Sequence, residues 1–233
     1  MIQWLVEPKS SVVAQYIDRY WMIEKTPDDQ SYNHPKLNPD PATHLILSPK
    51  EQVYSYSAQD QIHSDGGSHW LFPHHQTFQL DHSRSFVHIG IKFKVGALYS
   101  LNIPNYSHPT CDQVAAFNPT SLFGGCEVNE LIKLGRMDAE QCLSQLDQIL
   151  LPWLEVARKD RHSELVEKSL PLIDSTVISE LGAKLFCSQR TLERSFSRVT
   201  GFTLKQYQSM NKLEAMLVHL YQKELSDIDW TLI

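Results

Sequence analysis

Residues 86–94 read Phe-Val-His-Ile-Gly-Ile-Lys-Phe-Lys. Val87, Ile89, Ile91 and Phe93 alternate with His88, Gly90, Lys92 and Lys94. Successive side chains of a strand point to opposite faces, so this alternation predicts a β-strand with one face buried. The other face meets solvent or a cavity. Tyr16–Glu24, Thr43–Ser48 and Gln52–Ser57 are further strand candidates, rich in β-branched and aromatic residues. Turn-forming stretches separate them, at Pro27–Pro41 and at Ser64–Ser68 with its Gly66-Gly67 pair. Short strands punctuated in this way predict a sandwich or small barrel.

The period changes after about residue 127. Between Asp138 and Leu151, apolar residues fall at Cys142, Leu143, Leu146, Ile149 and Leu150, the spacing of a one-sided helix. Asp138, with Gln141 three residues on, resembles a capping box. Pro152 is expected to stop or kink this helix, because proline lacks the N–H and crowds the preceding turn. A further helix is expected over Arg161–Leu170, ending before Pro171. The fold class expected is α+β. It has an N-terminal β-barrel or cupin-like domain with appended helices over residues 1–173, then an all-α unit over 174–233.

The chain has 233 residues, enough for one large domain or two smaller ones. No stretch of about 18 apolar residues predicts a membrane span. The start, Met1-Ile2-Gln3-Trp4, lacks the basic and apolar regions of a secretory signal. Cys111, Cys126, Cys142 and Cys187 lie far apart with no C-x-x-C pair, which suits reduced thiols in a cytoplasmic protein. No G-x-S-x-G, P-loop or G-x-G-x-x-G occurs, and no enzyme activity or cofactor is expected. The net charge of -6 argues against a nucleic-acid binder, but its distribution does not. Six cations and one acid lie between Lys184 and Lys212. Local field, not whole-chain charge, governs attraction to phosphate.

That basic segment contains the most informative pattern. Val177, Ile178, Leu181 and Leu185 give a first helix an apolar stripe, broken at Phe186-Cys187. Ser188 is a suitable N-cap for a second helix, and Gly201 stands where it would end in the left-handed conformation. On a wheel of about 100° per residue, Leu192, Phe196 and Val199 share the core side. Arg190, Glu193, Arg194 and Ser197 form the opposite stripe, flanked by Arg198. Such a helix has one face to dock on a partner helix and another free for the major groove of double-stranded DNA. Arginine suits guanine edges, glutamate suits the cytosine amino group, and Ser188 at the helix N-terminus suits phosphate. A plain amphipathic hairpin with a solvated charged face would show the same wheel.

The run Ser188-Gln189-Arg190-Thr191-Leu192-Glu193-Arg194-Ser195-Phe196, followed by Thr200-Gly201-Phe202 and Gln206-Tyr207, resembles the first helix-turn-helix of AraC/XylS-type transcription regulators. The resemblance covers Thr176–Ile233. It implies a DNA-reading role for Ser188, Gln189, Arg190, Glu193, Arg194, Ser197 and Arg198. Arg190, Glu193 and Arg194 would reach base edges, and Ser188 and Ser197 would lie near phosphates. Thr203 and Gln206 would cap a linker helix reaching about Tyr221. The family carries a second helix-turn-helix, which would start near Asp229–Ile233. Most of that unit is therefore missing from the sequence, and the chain alone is expected to bind DNA weakly or not at all. Two positions depart from the pattern. Gly182 replaces the preferred alanine, at about 1 kcal/mol of helix propensity, and Lys212 replaces a linker arginine, losing bidentate phosphate geometry.

Tyr20-Trp21 and Lys92–Ala97 give a looser likeness to the regulatory domain of an AraC-type subgroup. It implies a β-barrel or cupin-like sensor with helices that often form a homodimer. The helix from Asp138 to Leu151 with Trp153-Leu154 is the candidate dimer surface, unless its stripe packs on the β domain. A pocket lined by Trp21, His44, Trp70 and Phe72 is the candidate site for a small-molecule effector. Nine of the eleven histidines lie between His34 and His108, but none has the spacing of a cupin metal site, so no metal is expected. Two alternatives stay open: a ligand-sensing or interaction module with a degenerate DNA reader, and a cupin-type metalloenzyme.

Overall fold

The computed structural model describes residues 2–227, except 30, 31, 60, 102, 104, 105, 107, 108, 121–123, 125 and 126, with side chains to residue 219. Asp229–Ile233 and the His108 and Cys126 positions lie outside the described residues. Among the described residues ten strands come first: β1 (Ile2–Val6), β2 (Ile17–Lys25), β3 (Lys36–Leu37), β4 (His44–Leu47), β5 (Val53–Ala58), β6 (Gln61–Gly66), β7 (His69–Leu71), β8 (Phe78–Leu80), β9 (Phe86–Phe93) and β10 (Val114–Ala116). Helices follow: α1 (Val128–Met137), α2 (Ala139–Glu155), α3 (Arg161–Ile173), α4 (Ile178–Lys184), α5 (Gln189–Thr200) and α6 (Leu204–Asp227). The architecture is α+β, with antiparallel sheets ordered β1-β2-β9-β4-β7-β10 and β3-β8-β5-β6.

Strand parity sorts the larger sheet into two faces. Trp70, Leu45, Ile91 and Tyr20 pair across β7, β4, β9 and β2. With Met22, Leu47, Ile89 and Phe93 they form the core against Leu131 of α1 and Leu143, Leu146, Leu150 and Leu154 of α2. The neighbouring rows, Leu71-His44-Lys92-Arg19 and His69-Ile46-Gly90-Trp21, belong to the opposite face. There Ile46 and Leu71 join Tyr54, Tyr56 and Phe78 of the smaller sheet in a second core. The 86–93 alternation thus separates a helix-packed face from one turned to the second sheet.

The buried Asp147 carboxylate ties α2 to the N-terminus of the sheet domain, accepting from Tyr20 Oη at 2.7 Å, Ser10 N at 2.7 Å and Lys9 N at 3.0 Å. The apolar stripe of α2 is consumed by this packing, because Cys142, Leu143, Leu146 and Leu150 are completely buried. It is therefore not available as the dimer surface expected from the sequence. Pro152 and Pro171 lie inside α2 and α3 rather than ending them. Each stands within the last few residues of its helix, where burial of Leu154 and Ile173 just beyond offsets the lost backbone bond.

Helix α3 also departs from the expected division. Its Val166 and Ile173 pack with Leu181, Leu192, Phe196, Val199, Phe202 and Tyr207 in a separate helical core. Residues of α3 thus belong to this helical core, although the expected division at 173/174 placed them with the β domain.

Candidate nucleic-acid interface and ligand cavity

Helices α4 and α5 are joined by the turn Leu185–Ser188. Leu185 N bonds Leu181 O at 3.1 Å, and Cys187 N bonds Gly182 O at 2.9 Å, closing the end of α4. A Cβ at Gly182 would come 2.9 Å from Cys187 O and Gln189 N, so glycine permits close approach of the turn. That contact explains the departure from alanine. Phe186, at the turn, has φ 53° and is 99 % exposed. Val177, assigned by its spacing to the inner stripe, caps α4 instead and is exposed.

Ser188 Oγ accepts from Thr191 N at 3.1 Å, and Gly201 at φ 81° ends α5. Leu192 and Phe196 are fully buried and Val199 nearly so. Ser188, Arg190, Glu193, Arg194, Ser197 and Arg198 are exposed. Gln189 is turned back on its own fold. Its Oε1 accepts from Gly182 N at 3.3 Å, and its Nε2 donates to Glu193 Oε1 at 3.0 Å. Arg198 Nε donates to Tyr99 Oη at 3.0 Å, and that hydroxyl donates to Asp160 Oδ2 at 2.9 Å. The Thr203–Gln206 capping box forms as expected, with Gln206 N to Thr203 Oγ1 at 3.1 Å and Thr203 N to Gln206 Oε1 at 2.8 Å.

The far end of α5 rests on the β domain. A Cβ at Gly96 would sit 2.8 Å from Val199 Cγ1, and one at Gly201 would collide with Cys111 Sγ. The His75 ring stacks on Phe202, with centroids 4.1 Å apart. His75 is itself fixed by Asp112, its Nδ1 lying 2.8 Å from Oδ2.

A cavity of about 500 Å³ opens between the two sheets. Trp21 and His44 line it, whereas Trp70 and Phe72 do not. These last two are buried on the helix side of the sheet, stacked with centroids 6.1 Å apart. The four residues therefore do not share one pocket. The reason is parity: Trp70 pairs with Leu45 and Leu71 with His44, so Leu71 stands in the cavity wall. Sequence reading missed Tyr54, Tyr56, Phe86 and His88 in that wall. The available signal was Gly90, a glycine in the middle of an otherwise regular strand, which marks a close approach. A Cβ there would lie 1.8 Å from the Trp21 indole, so that ring lies directly over the Gly90 backbone.

The polar groups around the cavity are mostly satisfied within the protein. His69 is buried, stacked on Tyr54 at 3.7 Å, with Nε2 2.9 Å from Tyr56 Oη. His88 Nδ1 lies 2.6 Å from Ser48 Oγ. Burial lowers both imidazoles, His69 to about 4 and His88 well below its ordinary value, where His69 and His82 add to the effect. His82 falls to about 4 through burial and the nearby Lys25 ammonium. Lys25 is itself buried, donating to His82 O at 2.8 Å and Asn33 Oδ1 at 2.7 Å. Burial raises the Asp40 carboxyl, but His44 and Lys92 outweigh it and hold the group well below the carboxylate range. Among the described residues no three His, Cys, Asp or Glu side chains gather as a metal-binding set.

The domain of unknown function DUF6597 matches residues 6–107, a span that ends before the helices. No curated protein matches this chain. Among solved structures, fatty-acid-bound ToxT from Vibrio cholerae is similar at 10 % identity and a TM-score of 0.27, over 82 % of this chain and 94 % of that one. The AraC-like transcriptional activator CuxR is similar at 10 % identity and a TM-score of 0.28, over 91 % of this chain and 85 % of that one. Likeness at these scores carries no functional argument. No helix among the described residues is long and apolar enough to cross a membrane.

Proposed function

We propose that this chain is a sequence-specific DNA-binding transcription regulator of the AraC/XylS type, controlled by a small molecule held in its β domain. The observation that carries the reading is the division of α5. Leu192, Phe196 and Val199 are anchored in the helical core, while Arg190, Glu193, Arg194 and Ser197 are exposed on the other side. In this reading α4 and α5 form a helix-turn-helix, with α5 in the major groove. Arg190 and Arg194 donate to guanine edges, and Glu193 accepts from cytosine. Ser188 and the first turn of α5 hold a phosphate. Gln189 and Arg198, engaged by Glu193 and Tyr99, orient the helix instead of reading bases. The protein acts in the cytoplasm, where its operators are, and performs no catalysis.

The test is selection from random duplexes with the full gene product, followed by anisotropy titration on the enriched sequence. A defined motif and affinity falling steeply with salt are expected. Replacing Arg190 and Arg194 by alanine should abolish selective binding while leaving Tm unchanged, because neither side chain is buried. Selective binding that survives the double substitution overturns the assignment.

A further inference from the structure

Beyond the presence of an effector site, the cavity wall specifies a class of ligand. We propose that the cavity between the sheets binds an uncharged aromatic molecule bearing a single hydrogen-bonding group, stacked on the face of Trp21 away from Gly90. This rests on the reading of the β domain as the ligand-holding half.

Three observations support it. First, Trp21 is backed by bare main chain, since any Cβ at residue 90 would enter its ring. One indole face is thus fixed against the sheet, and Trp21 stands in the cavity wall. A rigidly backed aromatic surface favours an aromatic partner. Second, the inner wall is uncharged. Ile23, Leu37, Ile46 and Leu71 alternate there with Tyr54, Tyr56 and Phe86. The charged lining residues among those described are Asp81 and Arg84, both exposed in the 81–85 loop and off the two sheets. His44, the remaining candidate cation, already has Asp40 at 3.1 Å. An ion seated on the sheet wall beside Trp21 would lose its hydration with no unpaired charge on that wall. Third, His82 lines the same cavity, is buried, and has Nδ1 without a hydrogen-bond partner among the described residues. An unpaired buried nitrogen is unfavourable, and one polar group on a ligand beside it relieves that deficit.

Two fluorescent probes with a common skeleton test the proposal. N-phenylnaphthylamine is neutral, aromatic and carries one N–H; anilinonaphthalenesulfonate adds a single negative charge. The neutral probe is expected to bind at one equivalent, and the sulfonate about tenfold or more weaker, reflecting the cost of burying an unpaired charge. Trp21→Leu should weaken the neutral probe about tenfold, with Trp21→Phe restoring most of the loss through its flat ring. Leu71→Arg, on β7 of the same sheet face as Trp21, should abolish binding. Equal or tighter sulfonate binding overturns the proposal, as does neutral-probe binding indifferent to both Trp21→Leu and Leu71→Arg. No DNA is present in these titrations. Their failure therefore leaves the role of Arg190 and Arg194 standing, and failure of the DNA selection leaves the cavity assignment standing.

Discussion

Phe186 occupies a backbone conformation that costs an L-residue about 1–2 kcal/mol, and its ring is 99 % exposed, so packing returns nothing. Phe186→Gly should raise stability by about 0.5–1 kcal/mol, read as a higher urea midpoint, once the greater freedom of glycine in the unfolded chain is subtracted. A lower midpoint would mean the ring is covered in solution. Neighbouring residues show how far local chemistry could be read. Ser188, Gly201 and the Thr203–Gln206 pair were legible, since a cap depends on residues within one turn of itself. Gly182 was legible only as a departure. Its reason is a contact with Cys187 and Gln189 across the turn, which propensity does not encode.

Among the elements, β9 was the easiest to recognise and β7 the hardest. Eight residues of strict alternation fix both faces of β9, whereas the three of β7 fix neither. Assigning Trp70 and Phe72 to the cavity was an error of one residue in parity, and one residue reverses a strand's faces. Helix α2 was legible as amphipathic, but its stripe could not name its partner. The sheet, not a second copy, covers it. Strands β5 and β7 together bury His69 as a neutral ring between Tyr54 and Tyr56. Its folded value of about 4 lies below its ordinary 6.5, so the folded state resists its protonation. Its contribution is complete above pH 6.5 and is lost as pH falls towards 4, on the order of 3 kcal/mol. Urea midpoints measured across that window should fall, and His69→Gln should flatten the fall by about one proton's worth of slope. An unchanged slope in the variant would place the acid sensitivity elsewhere.

On the scale of the whole molecule, the helical core of α3–α6 is seated on the β domain rather than tethered to it. Gly96, at φ 77°, faces Val199 of α5. Gly96→Ala introduces both a strained backbone and a methyl group 2.8 Å from that side chain, and should cost about 2 kcal/mol by urea denaturation. The loss should appear first as faster hydrogen exchange in α5; uniform exchange would argue that the two halves part only on global unfolding. None of this seam was readable beforehand. It joins residues around 75, 96–99 and 111 to 198–202, and no short-range pattern links such distant segments.

The seam also lies only a few residues along the chain from the cavity wall. Leu71 is in the wall, and the chain running on from it reaches His75, whose ring lies flat on Phe202 where α5 meets α6. Four residues of continuous backbone thus separate a side chain of the cavity wall from the ring that packs at the end of α5, a short covalent route between cavity and seam.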